Sequence, residues 1–174
     1  MRRWFRFPST VNDAAARTVA LGVLALSVVA FVTGAAWLLL VLAYGFVARV
    51  ASGPTWSPLG QFAVRVMAPR LGRSPRWQHW TRIVPGPPKR FAQAVGAAFT
   101  LTALVLWFTI GWTVARWLLV PLVLAAGLEG FAGICVGCTV FGWLMTLGVI
   151  PDAVCAECGD LSLRARRPGT APVV

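Results

Sequence analysis

Thr18–Ala48, with the sequence TVALGVLALSVVAFVTGAAWLLLVLAYGFVA, sets the architecture of this chain. The stretch contains no residue that is charged at neutral pH and consists mostly of Ala, Val and Leu. A helix rises about 1.5 Å per residue and the bilayer hydrocarbon is about 30 Å thick, so roughly 20 apolar residues make one crossing. The stretch is too long for one crossing, and Thr33-Gly34 is the only good turn signal near its centre. We predict a helical hairpin over residues 15–33 and 35–51.

The composition of the whole chain also indicates an integral membrane protein. Of its 174 residues, 58% are hydrophobic and only 12% are charged, and the mean hydropathy is +0.75. An average soluble domain is about half apolar and about a quarter charged, so this chain has too little polar surface to coat a water-soluble globule. A secretory signal peptide is the rival interpretation of the first segment, because Arg2, Arg3 and Arg6 precede it. Signal sequences have apolar cores of about 7–15 residues, whereas this one continues through Trp37–Leu40.

The start of the first helix carries its own signals. Asn12 has a short polar side chain that can accept from the unpaired N–H groups of a helix N-terminus. Asp13 is spaced to meet Arg17 one helical turn later. We therefore predict that the first helix begins next to Asn12.

A second apolar block begins at Phe91 and ends at Ile150. One crossing fits residues 92–110 and another fits about 113–133, with Gly111-Trp112 as the turn between them. The remainder of the block is ambiguous. It forms either a membrane-surface or re-entrant helix, which gives four crossings in all, or a fifth crossing.

Charge decides between these topologies. Cytoplasmic loops of membrane proteins carry the excess of Lys and Arg. The amino terminus, the 52–90 loop and the tail with Arg164, Arg166 and Arg167 are all basic, whereas the hairpin tips contain no cation except Arg116 close by. Four crossings place every basic segment, and both termini, in the cytoplasm. We therefore predict four.

The predicted fold class is all-α: a polytopic helical bundle with four transmembrane helices as two hairpins, plus interfacial helices. In the central loop, apolar residues at helical spacing from Leu59 to Met67 indicate a short helix in the membrane interface. Topology and anionic lipid explain the net charge of +11, and no nucleic-acid motif accompanies it, so we expect a lipid bilayer and no nucleic acid as partner. The chain then forms a single membrane domain, 1–174, with a cytosolic basic N-terminus (1–14), hairpin 1 (15–51), a basic Pro-rich loop (52–90), hairpin 2 (91–134), a CxxC-framed helix (135–160) and a disordered tail (161–174).

All four cysteines lie in two CxxC pairs, Cys135/Cys138 and Cys155/Cys158. Such a pair cycles between dithiol and disulfide, holds a metal or closes a structural disulfide; buried Cys is also a common packing residue. The spacing matches a four-thiolate zinc site. A straight helix from residue 139 to 150 would end about 18 Å from Cys138, however, and only a taut return or a bend, at Gly142 or Gly148, would bring the two pairs together.

Redox chemistry is the alternative to zinc. If a helix begins near residue 136, its N-terminus stabilises the Cys135 thiolate. Cys135 is then the attacking thiolate and Cys138 resolves the mixed species. Cys155 and Cys158, close to acidic residues, are predicted to occupy a more water-exposed setting and to form a secondary pair, structural or electron-relaying.

Glu129 is a carboxylate near the end of a predicted crossing. Such a group faces the bundle interior, marks a functional site or lies near enough to the interface to stay hydrated. On a continuous helix Glu129 and Cys135 would point in different directions. A break at Gly130 or Gly133 would bring them together as proton acceptor and thiol.

Several segments resemble the family of membrane proteins known as domain of unknown function 4395. The most specific of these segments is Leu128-Glu129-Gly130-Phe131 followed by Gly133-Ile134-Cys135-Val136-Gly137-Cys138, although Ile134 and Val136 stand where the family usually has an aromatic residue or Leu. Weaker resemblances lie at Val11–Asp13 with Arg17, Ser57–Leu59, and Pro88–Gln93 with Gly96. The resemblance covers roughly residues 11–160. It implies a bacterial inner-membrane protein whose relatives are often encoded near thioredoxin-like or sulfurtransferase proteins, and it supplies no established activity.

These observations lead to three functional hypotheses. The first is thiol–disulfide or sulfur-transfer chemistry at Cys135 and Cys138, with a thioredoxin-like or sulfurtransferase partner and with a quinone as one conceivable electron acceptor. The second is a structural or scaffold protein whose cysteines bind zinc or form disulfides. The third is a small transporter, for which the sequence offers few polar side chains to line a path. Whether the chain is an enzyme stays open at this point.

Overall fold

The computed structural model describes residues 8–151 and 154–155. The residues before Pro8, Cys158 and the basic tail lie outside this range, so the predictions made for them are not addressed below. The described part is almost entirely helical. Its helices are α1 (Asp13–Thr33), α2 (Leu38–Ser52), α3 (Pro58–Phe62), α4 (Ala68–Arg73), α5 (Gly86–Thr109), α6 (Trp112–Ala115), α7 (Leu119–Gly127) and α8 (Val136–Thr146).

Short segments of other helix types join several of these elements. π-Helical turns at Ala63–Met67 and Leu128–Ala132 connect α3 to α4 and extend α7, and 3₁₀ turns lie at Gln78–Trp80 and Arg116–Leu118. Two three-residue strands, β1 (Thr10–Asn12) and β2 (Ile83–Pro85), pair antiparallel. The all-α prediction is thus correct for the architecture, and this small ribbon is an addition to it.

The predicted start of α1 is confirmed. The Asn12 side chain accepts a hydrogen bond from the backbone N–H of Ala14 at 2.9 Å, as a helix cap does. Arg17 Nε lies 2.9 Å from Asp13 Oδ2, which is the predicted pair one turn apart. The predicted break at Gly34 is also confirmed, because Gly34 ends α1 in the left-handed conformation (φ 71°).

Three helical segments are long and apolar enough to cross a membrane: Asp13–Thr33, Gly86–Thr109 and Trp112–Ala132. They indicate a membrane protein. α2 has only 15 residues, about 22 Å at 1.5 Å per residue, because residues 35–37 form the turn after Gly34 instead of entering the helix as predicted. α8 has 11 residues, about 16 Å, which is too short for a fifth crossing.

The bundle has two distinct ends. At one of them, which we call the charged end, lie Asp13 at the start of α1, Arg49 near the end of α2, Lys89 in the first turn of α5 and Glu129 at the end of the Trp112–Ala132 segment. Hydrogen bonds connect them across helices, with Arg49 donating to Gln93 of α5 and Lys89 to Glu129.

The opposite end, which we call the tip end, holds the turns at Gly34 and Gly111. Phe31 and Trp117 meet there edge to face with ring centroids 5.9 Å apart. The Arg116 guanidinium lies 5.7 Å from the Phe31 ring centroid. The two hairpin tips predicted from the sequence are therefore neighbours in space.

Apolar side chains from α1, α2, α5 and α7 form the core between these ends. Leu39, Leu42 and Leu119 are almost completely buried, and Ala30 and Ala103 fill the close approaches between helices. A second, smaller cluster holds α8 against α5 and consists of Phe141, Met145 and Cys155 with Phe91 and Ile150 packed on it. The last helix is thus fixed to the charged end by its own apolar contacts.

Candidate functional site

Cys135 and Cys138 lie where the chain turns from the third long helical segment into α8. Gly133 ends that segment in the left-handed conformation (φ 71°), and Cys135 is the residue immediately before the first turn of α8. Its Sγ accepts the backbone N–H of Cys138 at 3.3 Å. The predicted break at Gly133 and the predicted helix start after Cys135 are both confirmed.

The two thiols are hydrogen-bonded to each other, with the Cys138 S–H donating to the Cys135 sulfur. This bond is the largest influence on both groups. It lowers the pKa of Cys135 and, together with burial, raises the pKa of Cys138. The backbone N–H of Cys138 and the positive charge of Lys89 lower the pKa of Cys135 further, against burial and the nearby Glu129 charge. Cys135 is therefore the member of the pair that favours the thiolate, as the sequence predicted.

Lys89 is the cation at the centre of the site. Its Nζ lies 2.6 Å from Glu129 Oε1 and 3.5 Å from Asp13 Oδ1, and its side chain is only 9% exposed. Asp13 in turn pairs with Arg17. Two cations and two carboxylates from three helices thus form one chain of ion pairs beside the dithiol. A buried charge is tolerated when it is paired in this way.

Close backbone approaches hold the cysteine turn in place. A side chain at Gly133 would collide with the Arg17 guanidinium, and a Cβ at Gly137 would come within 2.7 Å of Ala92 Cα. The Arg17 guanidinium also lies 4.8 Å from the Trp80 ring centroid. The glycine between the two cysteines therefore lets α8 pack directly on α5.

A second polar group lies one turn further along α5. Arg49 is 6% exposed, and it donates from Nε to Gln93 Oε1 at 2.7 Å and from Nη1 to Ser57 Oγ at 3.1 Å. The Ser57 Oγ also accepts the backbone N–H of Gly60 and so caps α3. No local sequence signal predicts that Arg49, near the end of the first hairpin, is buried among polar partners.

A cavity of about 310 Å³ opens beside Cys135, between α1, α2, α5 and α7. Its walls are mostly apolar and include Val23 and Phe99, and Val140 of α8 lines it as well. The polar residues in its lining are Gln93, Glu129 and Cys135. The cavity therefore has an apolar body with a polar group of residues at the charged end.

The structure brings Glu129 and Cys135 into the wall of the same cavity. The Glu129 side chain is 14% exposed and lines this cavity, in agreement with the interpretation that it faces the bundle interior. The π-helical turn over Leu128–Ala132 and the left-handed Gly133 supply the break that the sequence required for this approach. Whether Glu129 accepts a proton stays a prediction.

Cys155 differs from the prediction made for it. It is disulfide-bonded and 6% exposed, and it packs against Phe141 and Met145 instead of lying in water. The chain returns to α8 through Gly148, whose φ is 73°, at one of the two bends considered from the sequence. The acidic neighbours in sequence gave a misleading signal because long-range apolar packing decides the burial of Cys155.

The zinc hypothesis finds no support in these contacts. Within residues 8–151 and 154–155, no group of three or more His, Cys, Asp or Glu side chains is placed to hold a metal ion. Cys155, one of the four thiolates that the zinc site would need, has its sulfur in a disulfide.

Sequence reasoning missed Lys89, Asp13 and Arg17 as members of the site. Each was explained locally, as a loop cation or as part of a helix start. One signal could have found them: charged residues at the ends of three different apolar segments, all on the side of the bilayer to which the topology assigns the basic loops.

The sequence pattern of the family described as Domain of unknown function (DUF4395) matches residues 11–146, which is most of the chain and includes the dithiol, Lys89 and Glu129. The chain belongs to this family. The resemblance noted from short segments is thereby confirmed. No curated protein and no solved structure matches this DUF4395 chain.

Proposed function

We propose that this protein is a membrane-embedded thiol–disulfide oxidoreductase that uses Cys135 as its attacking thiolate and Cys138 as its resolving thiol. The observation that carries the proposal is the position of Cys135: its Sγ accepts the backbone N–H of Cys138 at a helix start, and Lys89 acts on it as a nearby positive charge. Reactive cysteines occupy electropositive settings of this kind.

The exchange proceeds in two steps. The Cys135 thiolate attacks one sulfur of a partner's disulfide, and the partner's other sulfur leaves as a thiolate. Cys138 then loses its proton to water or to that leaving thiolate and attacks Cys135, which forms the Cys135–Cys138 disulfide and releases the partner's second thiolate. The partner gains the two electrons that the dithiol loses. In reverse, the same mixed disulfide carries electrons from a reduced partner to this protein.

Lys89 and Glu129 serve this chemistry through charge. The Lys89 ammonium stabilises negative charge on Cys135, and Glu129 holds that ammonium at 2.6 Å. As a carboxylate within reach of the same cavity, Glu129 is also the group proposed to relay protons. The buried disulfide at Cys155 stabilises the cluster that seats α8 or relays electrons onward.

The proposed topology follows from the distribution of charge. We propose four membrane-crossing segments, with α2 completing the hairpin begun by α1 and with the charged end at the cytoplasmic face of a bacterial inner membrane. The support is that α2 connects the tip end to the charged end in the same way as the three longer segments. A thioredoxin-like or sulfurtransferase partner would then meet the dithiol from the cytoplasm.

The decisive experiment traps the mixed disulfide. Reduced Cys138→Ser protein in detergent is treated with an aromatic disulfide, and the adduct is located by mass spectrometry. We expect a stable adduct at Cys135. The matched control, Cys135→Ser, should leave Cys138 largely unreacted at neutral pH. Equal adduct formation at Cys135 and Cys138 would contradict the assignment of the attacking thiol.

A further inference from the structure

The cavity beside Cys135 combines the features of a small-molecule site. Its volume of about 310 Å³ lies within the range of roughly 300–1,000 Å³ in which proteins bind small ligands. Such sites are mainly apolar with a few convergent polar groups, and Gln93, Glu129 and Cys135 are those groups here.

Gln93 is fixed in one orientation by Arg49. A guanidinium can only donate hydrogen bonds, so the Gln93 side chain must present its oxygen to Arg49, as it does at 2.7 Å. Its NH₂ group therefore remains the group that can serve a ligand. Because Gln93 lines the cavity, it offers a hydrogen-bond donor to an acceptor such as a carbonyl oxygen.

The walls of the cavity determine which molecules can enter. Val19, Val23, Phe99 and Leu122 belong to the three helical segments of membrane-spanning length. A polar ligand would find few hydrogen-bond partners in the space between them, so only a mainly apolar molecule is accommodated there favourably. The occupant is therefore a lipid-soluble molecule with a hydrogen-bond acceptor at one end.

The neighbouring dithiol adds the chemical requirement. Closing the Cys135–Cys138 disulfide removes two electrons and two protons, and these need an acceptor. Lipid-soluble two-electron acceptors that carry carbonyl oxygens are quinones. We propose that the cavity binds the head group of a membrane-dissolved quinone, which oxidises the Cys135–Cys138 dithiol. This inference rests on the proposed thiol chemistry and names its electron acceptor.

The balance of the step is as follows. The Cys138 S–H bond breaks and the Cys135–Cys138 S–S bond forms, so the two sulfurs lose two electrons. The quinone takes both electrons and, with two protons, becomes a quinol. One of the two protons that it gains comes from Cys138. The other comes from water through Glu129 or, when Cys135 starts as a thiol, from Cys135 itself.

The test uses the full chain, reduced and free of oxygen, in phosphatidylcholine nanodiscs with decylubiquinone as the probe. We expect quinone absorbance to fall as the Cys135–Cys138 disulfide forms, with one quinone consumed per disulfide. Gln93→Glu keeps the acceptor for Arg49 and removes the NH₂ donor, and it should slow the reaction about tenfold, the effect of one lost hydrogen bond. A rate equal to that of the unsubstituted protein would remove Gln93 from the site.

A pair of bulky substitutions tests the cavity itself. Ala125 lines the cavity, whereas Ala98 is an exposed residue of α5 that does not line it. Ala125→Phe should slow quinone reduction at least about tenfold, and Ala98→Phe should change it less than about twofold. If Ala125→Phe reacts as fast as the unsubstituted protein, the quinone does not use this cavity.

The outcomes separate this inference from the function on which it depends. If the mixed disulfide is trapped at Cys135 but quinone leaves the dithiol reduced, the quinone proposal is wrong and the thiol–disulfide exchange stands. If Cys135 forms no adduct with the aromatic disulfide and quinone leaves the dithiol reduced, both proposals are wrong. Oxidation of the dithiol by quinone at equal rates in all variants would show reaction from solution and overturn the site.

Discussion

At the charged end, Asp13, Arg17, Lys89 and Glu129 form consecutive ion pairs, whereas at the tip end the Arg116 guanidinium faces the rings of Phe31 and Trp117. Each end contains a turn with a left-handed glycine, Gly133 at the charged end and Gly34 at the tip end. The two ends differ in the groups that their turns position. The turn at the charged end positions a dithiol beside a cavity, and its close contacts at Gly133 and Gly137 leave no space for a larger side chain.

This difference indicates where the chain carries chemistry. Buried ion pairs contribute little net stability, because removing the charges from water costs about as much as their attraction returns. A folded protein that keeps four charged side chains, joined by three ion pairs, beside two cysteines gains position and electrostatic potential instead. Among the residues that the structure describes, the tip end has aromatic side chains at its turns and no thiol, which suits a membrane-interface boundary.

The largest expected effect comes from removing the central cation. Lys89→Met leaves the Glu129 carboxylate buried without its partner, and this should lower the free energy of unfolding by about 3–5 kcal/mol. Unfolding in detergent, followed by Trp fluorescence, measures it. Arg116→Met at the tip end is the matched control and should cost less than about 1 kcal/mol, the value of a cation–π contact.

A double substitution shows whether the unpaired charge causes the loss. Adding Glu129→Gln to Lys89→Met removes the stranded carboxylate and should restore part of the stability. If Lys89→Met and Arg116→Met cost the same, or the second substitution restores nothing, the ion-pair chain does not distinguish the two ends.

The two left-handed glycines provide a second comparison. Gly133 and Gly34 share a φ of 71°, so replacing either by Ala costs about 1–2 kcal/mol from backbone conformation. At Gly34 an added Cβ meets nothing closer than 3.8 Å, whereas at Gly133 it collides with the Arg17 guanidinium. Gly133→Ala should therefore cost about 1 kcal/mol more than Gly34→Ala, because Arg17 must leave Asp13. Equal losses in the same unfolding measurement would show that Arg17 moves freely.

The sequence predicted the local features of this molecule well. The cap at Asn12, the breaks at Gly34 and Gly133, and the helix start after Cys135 all follow from residues within a few positions of each other. Such signals depend on backbone geometry that is decided locally. They were sufficient to find the dithiol.

The remainder depends on contacts between distant segments. Lys89 and Glu129 are 40 positions apart, and Arg49 and Gln93 are 44 apart, so no local pattern pairs them. Cys155 was expected in water and is buried because Phe141 and Met145 lie beneath it. The second predicted crossing is shorter than expected because its first residues form the turn. These pairings, the burial of Cys155 and the length of α2 depend on how the helices pack, which no local sequence pattern specifies.

The pH dependence of cysteine alkylation gives the third prediction. The lowered pKa of Cys135 keeps more of this residue as thiolate at neutral pH, and the raised pKa of Cys138 keeps that residue as thiol. In reduced protein, Cys135 should therefore react with iodoacetamide faster than Cys138 at pH 7. Its rate should rise with pH through a midpoint below the ordinary thiol value of about 8.5. Peptide mass spectrometry of quenched samples gives both rates.

A reference thiol at the tip end sharpens this measurement. Ile110 is 64% exposed in the turn after α5, outside the membrane-spanning segments, so Ile110→Cys, in a chain that lacks Cys135 and Cys138, should react as an ordinary exposed thiol. Lys89→Met should move the midpoint of Cys135 upward, because the nearby positive charge is lost. A Cys135 midpoint equal to that of the Ile110→Cys thiol would mean that the charged end does not activate its cysteine.

The smallest expected effect tests the cap of α1. Asn12→Ala removes the bond to the Ala14 N–H and should lower the free energy of unfolding by about 1 kcal/mol. Trp37 precedes α2 at the tip end without a side-chain cap, so Trp37→Ala alters no such bond there.

Because Asp13 follows Asn12 and pairs with both Arg17 and Lys89, a frayed α1 should also slow the alkylation of Cys135. A loss of stability with unchanged alkylation would show that the start of α1 contributes only to folding and that Lys89 holds its position through Glu129 alone.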